Sequence, residues 1–239
     1  MIDVHCHILP GVDDGAKNLA ETEEMLRTAY SEGIRTIVAT PHFSEGMTED
    51  LRQRKKNAYA ATARLARQIA QDFEILPGGE LFYSEGAVAD LKAGRIWTMN
   101  HSRYVLTEFP IFANFTYIRQ AVQNLQYAGY DPILAHIERY AALADEEAIL
   151  TLREMGVLLQ VNASSLTMKA GWKERHRLLH LLKKKYIHLI GTDAHGSRHR
   201  RPLMRDCAAY IEKKTDRSYC LELCEKNAEK IIRREHTDA

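Results

Sequence analysis

Strand-like and helix-like stretches alternate along this whole 239-residue chain, and that alternation constrains its fold more than any other feature. Residues 1–5 read as a strand, and residues 19–32 as a helix stopped by Gly33. Residues 34–40 form a β-branched strand cut off by Pro41, since the residue before proline is pushed into extended backbone. The spacing then predicts a helix over 48–71, a strand over 73–80 that ends in a glycine pair, and a strand over 104–109 ended by Pro110. A helix over 114–128, a strand over 131–136, a helix over 145–155 and a strand over 157–162 follow. A mostly helical run over 165–185, a last strand over 187–195 and helices over about 202–214 and 218–234 complete the pattern. Apolar strands separated by helices indicate a parallel sheet covered by helices. Seven strands suggest a (β/α) barrel one unit short of the usual eight, although a doubly wound sheet gives a similar alternation. No Pro/Gly/Ser-rich linker and no repeat divides the chain, so one domain over 1–239 is expected.

Charge and cysteine usage remove several function classes. Lys plus Arg number 33 and Asp plus Glu 32, so bulk-charge binding of nucleic acid is disfavoured. No apolar run approaches the roughly 18 residues of a membrane helix, so no direct membrane insertion is expected. The opening MIDVHCHILPGVDDGAKN lacks a basic-then-apolar leader, which points to the cytoplasm. Cys6, Cys207, Cys220 and Cys224 form no disulfide framework, and Cys220 and Cys224 read as a small apolar helix face. Six residues beyond these four stand Val12, Lys213, Lys226 and Lys230, so none begins the C-x5-R loop of a cysteine-dependent phosphatase.

Metal-ligating residue types gather where the predicted strands end. His5 and His7 lie on or just beyond strand 1, His42 follows strand 2, and Glu80 closes strand 3. Glu108 and His136 end strands 4 and 5, Asp193 and His195 end strand 7, and Asp13 and Asp14 occupy the first loop. In a parallel barrel all these ends share one rim. Residues two apart on a strand point the same way, so His5 and His7 converge while Cys6 faces the helices. Imidazole with carboxylate suits Mn, Fe, Co or Zn, and a bridging carboxylate such as Glu80 can hold two ions about 3.5–4 Å apart. Taken singly, each residue has a bland reading: H-x-H is common, His42 could be a loop residue, and Glu108 a rim charge. Taken together the bland reading fails, because crowding so many ionisable groups without a cation is costly. His101, His176, His180, His188 and His236 fall on predicted helices, loops or strand starts and receive no role; His199 is left open.

These residues resemble the PHP (polymerase and histidinol phosphatase) superfamily, and within it the bacterial tyrosine-protein phosphatase branch of the CpsB/YwqE type. The likeness rests on D-x-H-C-H-I-L-P-G-x-D-D-G at the start, T-P-H at His42, P-G-x-E at Glu80 and Y-x-L-x-E-F-P at Glu108. A-H-x-E-R-Y at His136, G-T-D-A-H at Asp193 and the late N-A-E-K-I-I extend it to about Arg234. The resemblance implies an α/β fold, a distorted TIM-like (β/α)7 barrel, and three divalent metal ions, Mn or Fe, with Zn or Co as alternatives. One ion would take His5, His7, Glu80 and Asp193; a second would share Glu80 and take Glu108 and His136; a third would take Asp14, His42 and His195. Ile137 stands where the family often has proline, and GSRHRRP after the last motif is strongly basic.

The implied chemistry is hydrolysis of phosphotyrosine, with a hydroxide bridging two ions as nucleophile. Arg139, three residues past His136, is the first candidate to bind phosphate, and Arg201 the second, with Arg198 and Arg200 competing. Phe43, Phe82 and Phe109 flank ligands and could meet a tyrosine ring, or equally belong to the core. The resemblance also implies a phosphotyrosine protein as partner, a membrane-associated bacterial tyrosine autokinase of capsule or exopolysaccharide synthesis. The rivals are a small-molecule phosphomonoesterase such as a histidinol-phosphate phosphatase, a nuclease, and a non-catalytic metal-binding module.

Overall fold

A computed structural model describes residues 1–167 and 171–232 of the chain. Residues 168–170 of the predicted 165–185 run, the end of the predicted 218–234 helix and His236 lie outside the described residues. The first half runs β1 (Ile2–Cys6), α1 (Leu19–Ser31), β2 (Thr36–Ala39), β3 (His42–Phe43), α2 (Glu49–Ile69), β4 (Glu74–Pro77), β5 (Glu80–Phe82) and α3 (Ala87–Lys92). It continues through β6 (Tyr104–Glu108), α4 (Phe115–Tyr127), β7 (Asp131–Leu134), α5 (Glu146–Glu154), β8 (Leu158–Asn162) and α6 (Ala163–Thr167). The chain then forms α7 (Trp172–Lys183), β9 (Leu189–Gly191), α8 (Arg205–Lys214), α9 (Arg217–Leu221) and α10 (Asn227–Ile232). Helix starts follow the polar residues that precede them. The Asn18 side chain accepts from the Glu21 amide at 3.0 Å, and Thr48 from the Leu51 amide at 3.3 Å.

Every ladder is parallel, in the orders β1-β2-β4 and β3-β5-β6-β7-β8-β9. Among the described residues nine segments occupy seven strand positions, because β2 and β3 are one strand interrupted at Pro41, and β4 and β5 one strand interrupted at Gly78 and Gly79. A side chain at Gly78 would sit 2.5 Å from Val38 Cγ1, so the break places backbone against the neighbouring strand where only glycine fits. The sheet curls until its last strand meets its first. The Asp193 amide donates to the His5 carbonyl at 2.7 Å, and the His7 amide to the Ala194 carbonyl at 2.9 Å. An open doubly wound sheet would leave those two edges apart, so the fold is the distorted (β/α)7 barrel.

Two apolar layers result. One fills the space between sheet and helices and takes Cys6, Cys207, Cys220 and Cys224 as small apolar side chains. The other joins Val4, Val38, Leu106, Ile133 and Leu189 from five strands, which can meet only inside the barrel. Ala228 and Ile231 of α10 close its lower end. The β1–β2 register shifts between Asp3 and Cys6, so Val4 joins this inner cluster while His5 turns toward the upper end.

Some expected boundaries shift. The strand predicted over 187–195 keeps its ladder only over Leu189–Gly191, because the chain leaves it to deliver Asp193 and His195. The last predicted helix is divided by a π-helical turn over Glu222–Lys226. Among the described residues no helix is long and apolar enough to cross a membrane.

Candidate metal centre

Above the inner apolar layer, the ligand-type side chains converge at the C-terminal ends of the strands. Glu80 opens β5 rather than closing a strand, and its carboxylate is 1% exposed. Its Oε2 lies 3.2 Å from His5 Nε2, 3.1 Å from His7 Nε2 and 3.2 Å from His42 Nδ1, while Oε1 lies 2.9 Å from His136 Nε2. Glu108 Oε1 stands 3.1 Å from His42 Nδ1, and Oε2 3.6 Å from His136 Nε2. Asp193 Oδ1 is 3.5 Å from His5 Nε2, 3.7 Å from His7 Nε2 and 3.5 Å from His195 Nδ1. Asp14 Oδ1 is 3.3 Å from His42 Nε2 and 3.4 Å from His195 Nε2. All nine residues singled out in the sequence therefore meet in one place.

A set of neighbouring side chains fixes how these groups point. His5 Nδ1 faces Gln160 Oε1 at 3.0 Å and His7 Nδ1 faces Asp13 Oδ2 at 3.0 Å, so both carry their proton on Nδ1. Their Nε2 atoms then stand 3.2 Å apart, facing each other and two carboxylates. That arrangement is what a shared cation satisfies. Gln160 also accepts from the His136 amide at 2.8 Å and donates to Asn162 Oδ1 at 2.9 Å, and Asn162 donates to Asp193 Oδ2 at 2.8 Å. Asp13 was read as a rim carboxylate and not as the partner of His7, while Gln160 and Asn162 escaped the sequence reading, and with them these positioning contacts. The signal was there for the last two, as polar side chains two apart on an otherwise apolar strand. His136 and Asp193 have φ of 33° and 51°, a costly left-handed backbone that recurs at functional sites.

Electrostatics follow from burial and crowding. Burial works against charge on His5, yet Glu80 and Asp193 outweigh it and lift its pKa to about 10. His42 rises to about 9 despite burial, through Glu108 and Glu80. Burial opposes charge on Glu80, but His5 and the hydrogen bonds from His136, His5 and His7 hold it well below the usual carboxylate range. His195 is pushed down to about 4 by burial, His7 and Arg200. Protons thus stand where a divalent cation would supply the same positive charge.

Three groups of donor atoms fall within 4.8 Å of one another: His7, Asp14, His42 and His195; His5, His7 and Asp193; and His42, Glu80 and Glu108. The expected partition differs: His7 and His42 each enter two groups, and His136, expected with Glu80 and Glu108, enters none of the three although it faces Glu80 at 2.9 Å. Asp14, not Asp13, reaches the cluster; Asp13 instead braces His7.

A cleft of about 650 Å³ opens beside Asp193 and carries Arg139, Arg198, Arg200 and Arg201. Arg139 pairs with Asp193 Oδ2, and Arg200 Nη2 with Oδ1 at 2.7 Å. Arg201, the second candidate, lines this cleft while Arg200 makes the contact to Asp193. His199 lines it too. Phe43 and Phe109 are core residues at 1% and 2% exposure, whereas Phe82 stands 42% exposed. His180 pairs with Glu146 at 2.9 Å and His188 Nδ1 accepts from the Leu159 amide at 3.0 Å, both far from the cluster in role.

A family model described as capsular polysaccharide synthesis, CpsB/CapC, matches residues 1–233. The tyrosine-protein phosphatase CpsB of Streptococcus pneumoniae is 32% identical, over 97% of this chain and 98% of that protein. The tyrosine-protein phosphatase YwqE of Bacillus subtilis (strain 168) is 34% identical, over 98% of this chain and 92% of its own length. Among solved structures, a chain from the YwqE and CpsB crystal structures, described as unique metal-dependent tyrosine phosphatases, superposes with a TM-score of 0.86 at 33% identity. It covers 97% of this chain and 94% of that one.

Proposed function

Because this chain belongs to the CpsB/CapC family of capsular polysaccharide synthesis, we propose that it is a metal-dependent tyrosine-protein phosphatase. The observation that carries this reading is the convergence of two imidazole nitrogens, His5 Nε2 and His7 Nε2, 3.2 Å apart against Glu80 and Asp193. Three overlapping donor groups, together with His136 at 2.9 Å from Glu80, support three divalent ions, Mn or Fe with Zn or Co as alternatives, held by His5, His7, Asp14, His42, Glu80, Glu108, His136, Asp193 and His195. Bound cations would polarise the phosphoryl group and lower the pKa of a water at neutral pH. Asp13 and Gln160 keep His7 and His5 in the ligating tautomer. Arg139, already at the edge of the cluster, and Arg201 on the same cleft take the phosphoryl oxygens, where planar bidentate donors suit the transition-state charge.

The substrate is a phosphotyrosine protein, and we place the chain in the cytoplasm, opposite a membrane-associated tyrosine kinase of the capsule pathway. The family's place in capsular polysaccharide synthesis supports the partner, and four cysteines without a disulfide support the compartment. The 1–239 chain acts as one domain, in keeping with a barrel whose first and last strands pair. The test is a substrate panel on metal-loaded protein: phosphotyrosine peptide, histidinol phosphate and sugar phosphates. Turnover should favour the peptide, vanish with chelator and survive iodoacetamide, since all four thiols are buried. A preference for histidinol phosphate, or inactivation by iodoacetamide alone, overturns the reading.

A further inference from the structure

The metal cluster is flanked by two clefts of different character. One is the arginine cleft beside Asp193. The other, about 480 Å³, is lined on one side by the polar groups Asp14, His42, Lys55 and Glu108 and on the other by Val12, Phe43, Met47, Leu51 and Phe82. Strand geometry explains how Phe82 comes to stand there. Successive side chains on β5 alternate, so Phe82 points the same way as Glu80, one step nearer the mouth. Glu80 is sealed in the cluster at 1% exposure, Leu81 between them is sealed in the helix layer, and Phe82 is left 42% exposed. Phe82 is also the direct register partner of Glu108, so their side chains are cross-strand neighbours. Phe82 thus stands half in water beside the Glu108 carboxylate and in the lining of the cleft, placed to be covered by an apolar group that enters there.

We propose that this cleft is the leaving-group subsite, and that Phe82 determines specificity by stacking on the phenol ring of the substrate. The inference rests on the phosphatase reading above. Charge complementarity orients the substrate. The phosphoryl oxygens face the four arginines, so the ester oxygen and its ring face the opposite flank, whose one lysine, Lys55, is buried and donates to the Val12 carbonyl at 3.3 Å. The volume falls in the range of clefts that bind small organic groups. Phe43 forms the buried wall and Phe82 the exposed one, so the ring enters between a fixed surface and the mouth.

Calorimetry with metal-loaded protein tests this without relying on turnover. Phenylphosphonate carries both the ring and the anion; inorganic phosphate carries the anion alone. The natural chain should bind phenylphosphonate about tenfold more tightly than phosphate, as expected for one stacked and buried ring. In Phe82→Ala that gap should close, with metal content unchanged, and Phe82→Tyr should keep it. Equal affinity for both probes in the natural chain, or an undiminished gap in Phe82→Ala, overturns the subsite. Phosphotyrosine-peptide turnover by the same natural-chain sample separates the two claims. Turnover with no Phe82 effect removes only the subsite, whereas absence of turnover removes the phosphatase reading itself.

Discussion

At the scale of single residues, the account depends on protons and cations competing for the same nitrogens. His5 and His42 have pKa values raised to about 10 and about 9, so at neutral pH the cation-free site is protonated. A group whose folded pKa is raised holds its proton until the pH climbs through that value. Cation uptake at pH 7 must therefore release protons, and affinity must rise as pH rises toward 9. Titration with Mn2+ in weakly buffered solution with an indicator dye checks this; uptake without acidification contradicts it. Asp13 is a second case. It touches His7 and not the predicted cations, so Asp13→Asn should weaken metal binding about 10–100-fold by loosening the His7 tautomer. Competition with a fluorescent chelator measures that loss. Arg139→Ala should leave metal content intact and lower kcat/KM for phosphotyrosine peptide about 100-fold, because a guanidinium aimed at developing charge is lost; an unchanged kcat/KM removes its role. The nine ligand candidates were legible because imidazole and carboxylate at strand ends have few other uses. Asp13 was not separable from Asp14 by spacing, since the loop's turn decides which of two adjacent carboxylates faces inward.

Among the elements, what could be read from sequence was where punctuation is local. Pro41 and the Gly78–Gly79 pair, read as strand ends, are interruptions of the second and third strand positions, and Thr48 opens its helix as expected. The short segments β3 and β5 were hidden, because each is held by pairing across the sheet rather than by its own residues. The departure of residues 192–195 from the last strand was hidden for a related reason: the Asp193 and Thr192 amides bond to β1, to the His5 carbonyl and the Asp3 carboxylate. One loop offers a direct test of how tightly an element holds the site. A methyl group at Gly15 would stand 2.2 Å from the His7 carbonyl oxygen and 2.6 Å from His7 Cβ. Gly15→Ala should displace His7, lowering metal occupancy measured by elemental analysis while far-ultraviolet circular dichroism stays native. Full occupancy in that variant contradicts the close approach.

For the whole molecule, alternating strands and helices plus a rim of ligands predicted the barrel, while closure needed the structure. Whether a seven-strand sheet curls shut depends on contacts between residues almost 190 positions apart, such as the Thr192 amide with Asp3. The fold that results has an apolar lower half, plugged by α10, and a charged upper half that self-repulsion would open without counter-charge. Cations binding only the folded chain should stabilise it. At 100 times Kd one site contributes about 2.7 kcal/mol, or a Tm rise of about 5–10 °C for a chain of this size. The central claim is that segments scattered from His5 to His195 converge into a cation-binding centre that hydrolyses phosphotyrosine. Elemental analysis of the purified natural chain and of Glu80→Gln, with phosphotyrosine-peptide turnover measured on the same samples, tests it most directly. The account predicts several equivalents of divalent metal and turnover in the natural chain, and the loss of both together in Glu80→Gln. A chelator-stripped natural chain that hydrolyses the peptide at full rate, or a Glu80→Gln chain that keeps its full metal complement, would contradict it.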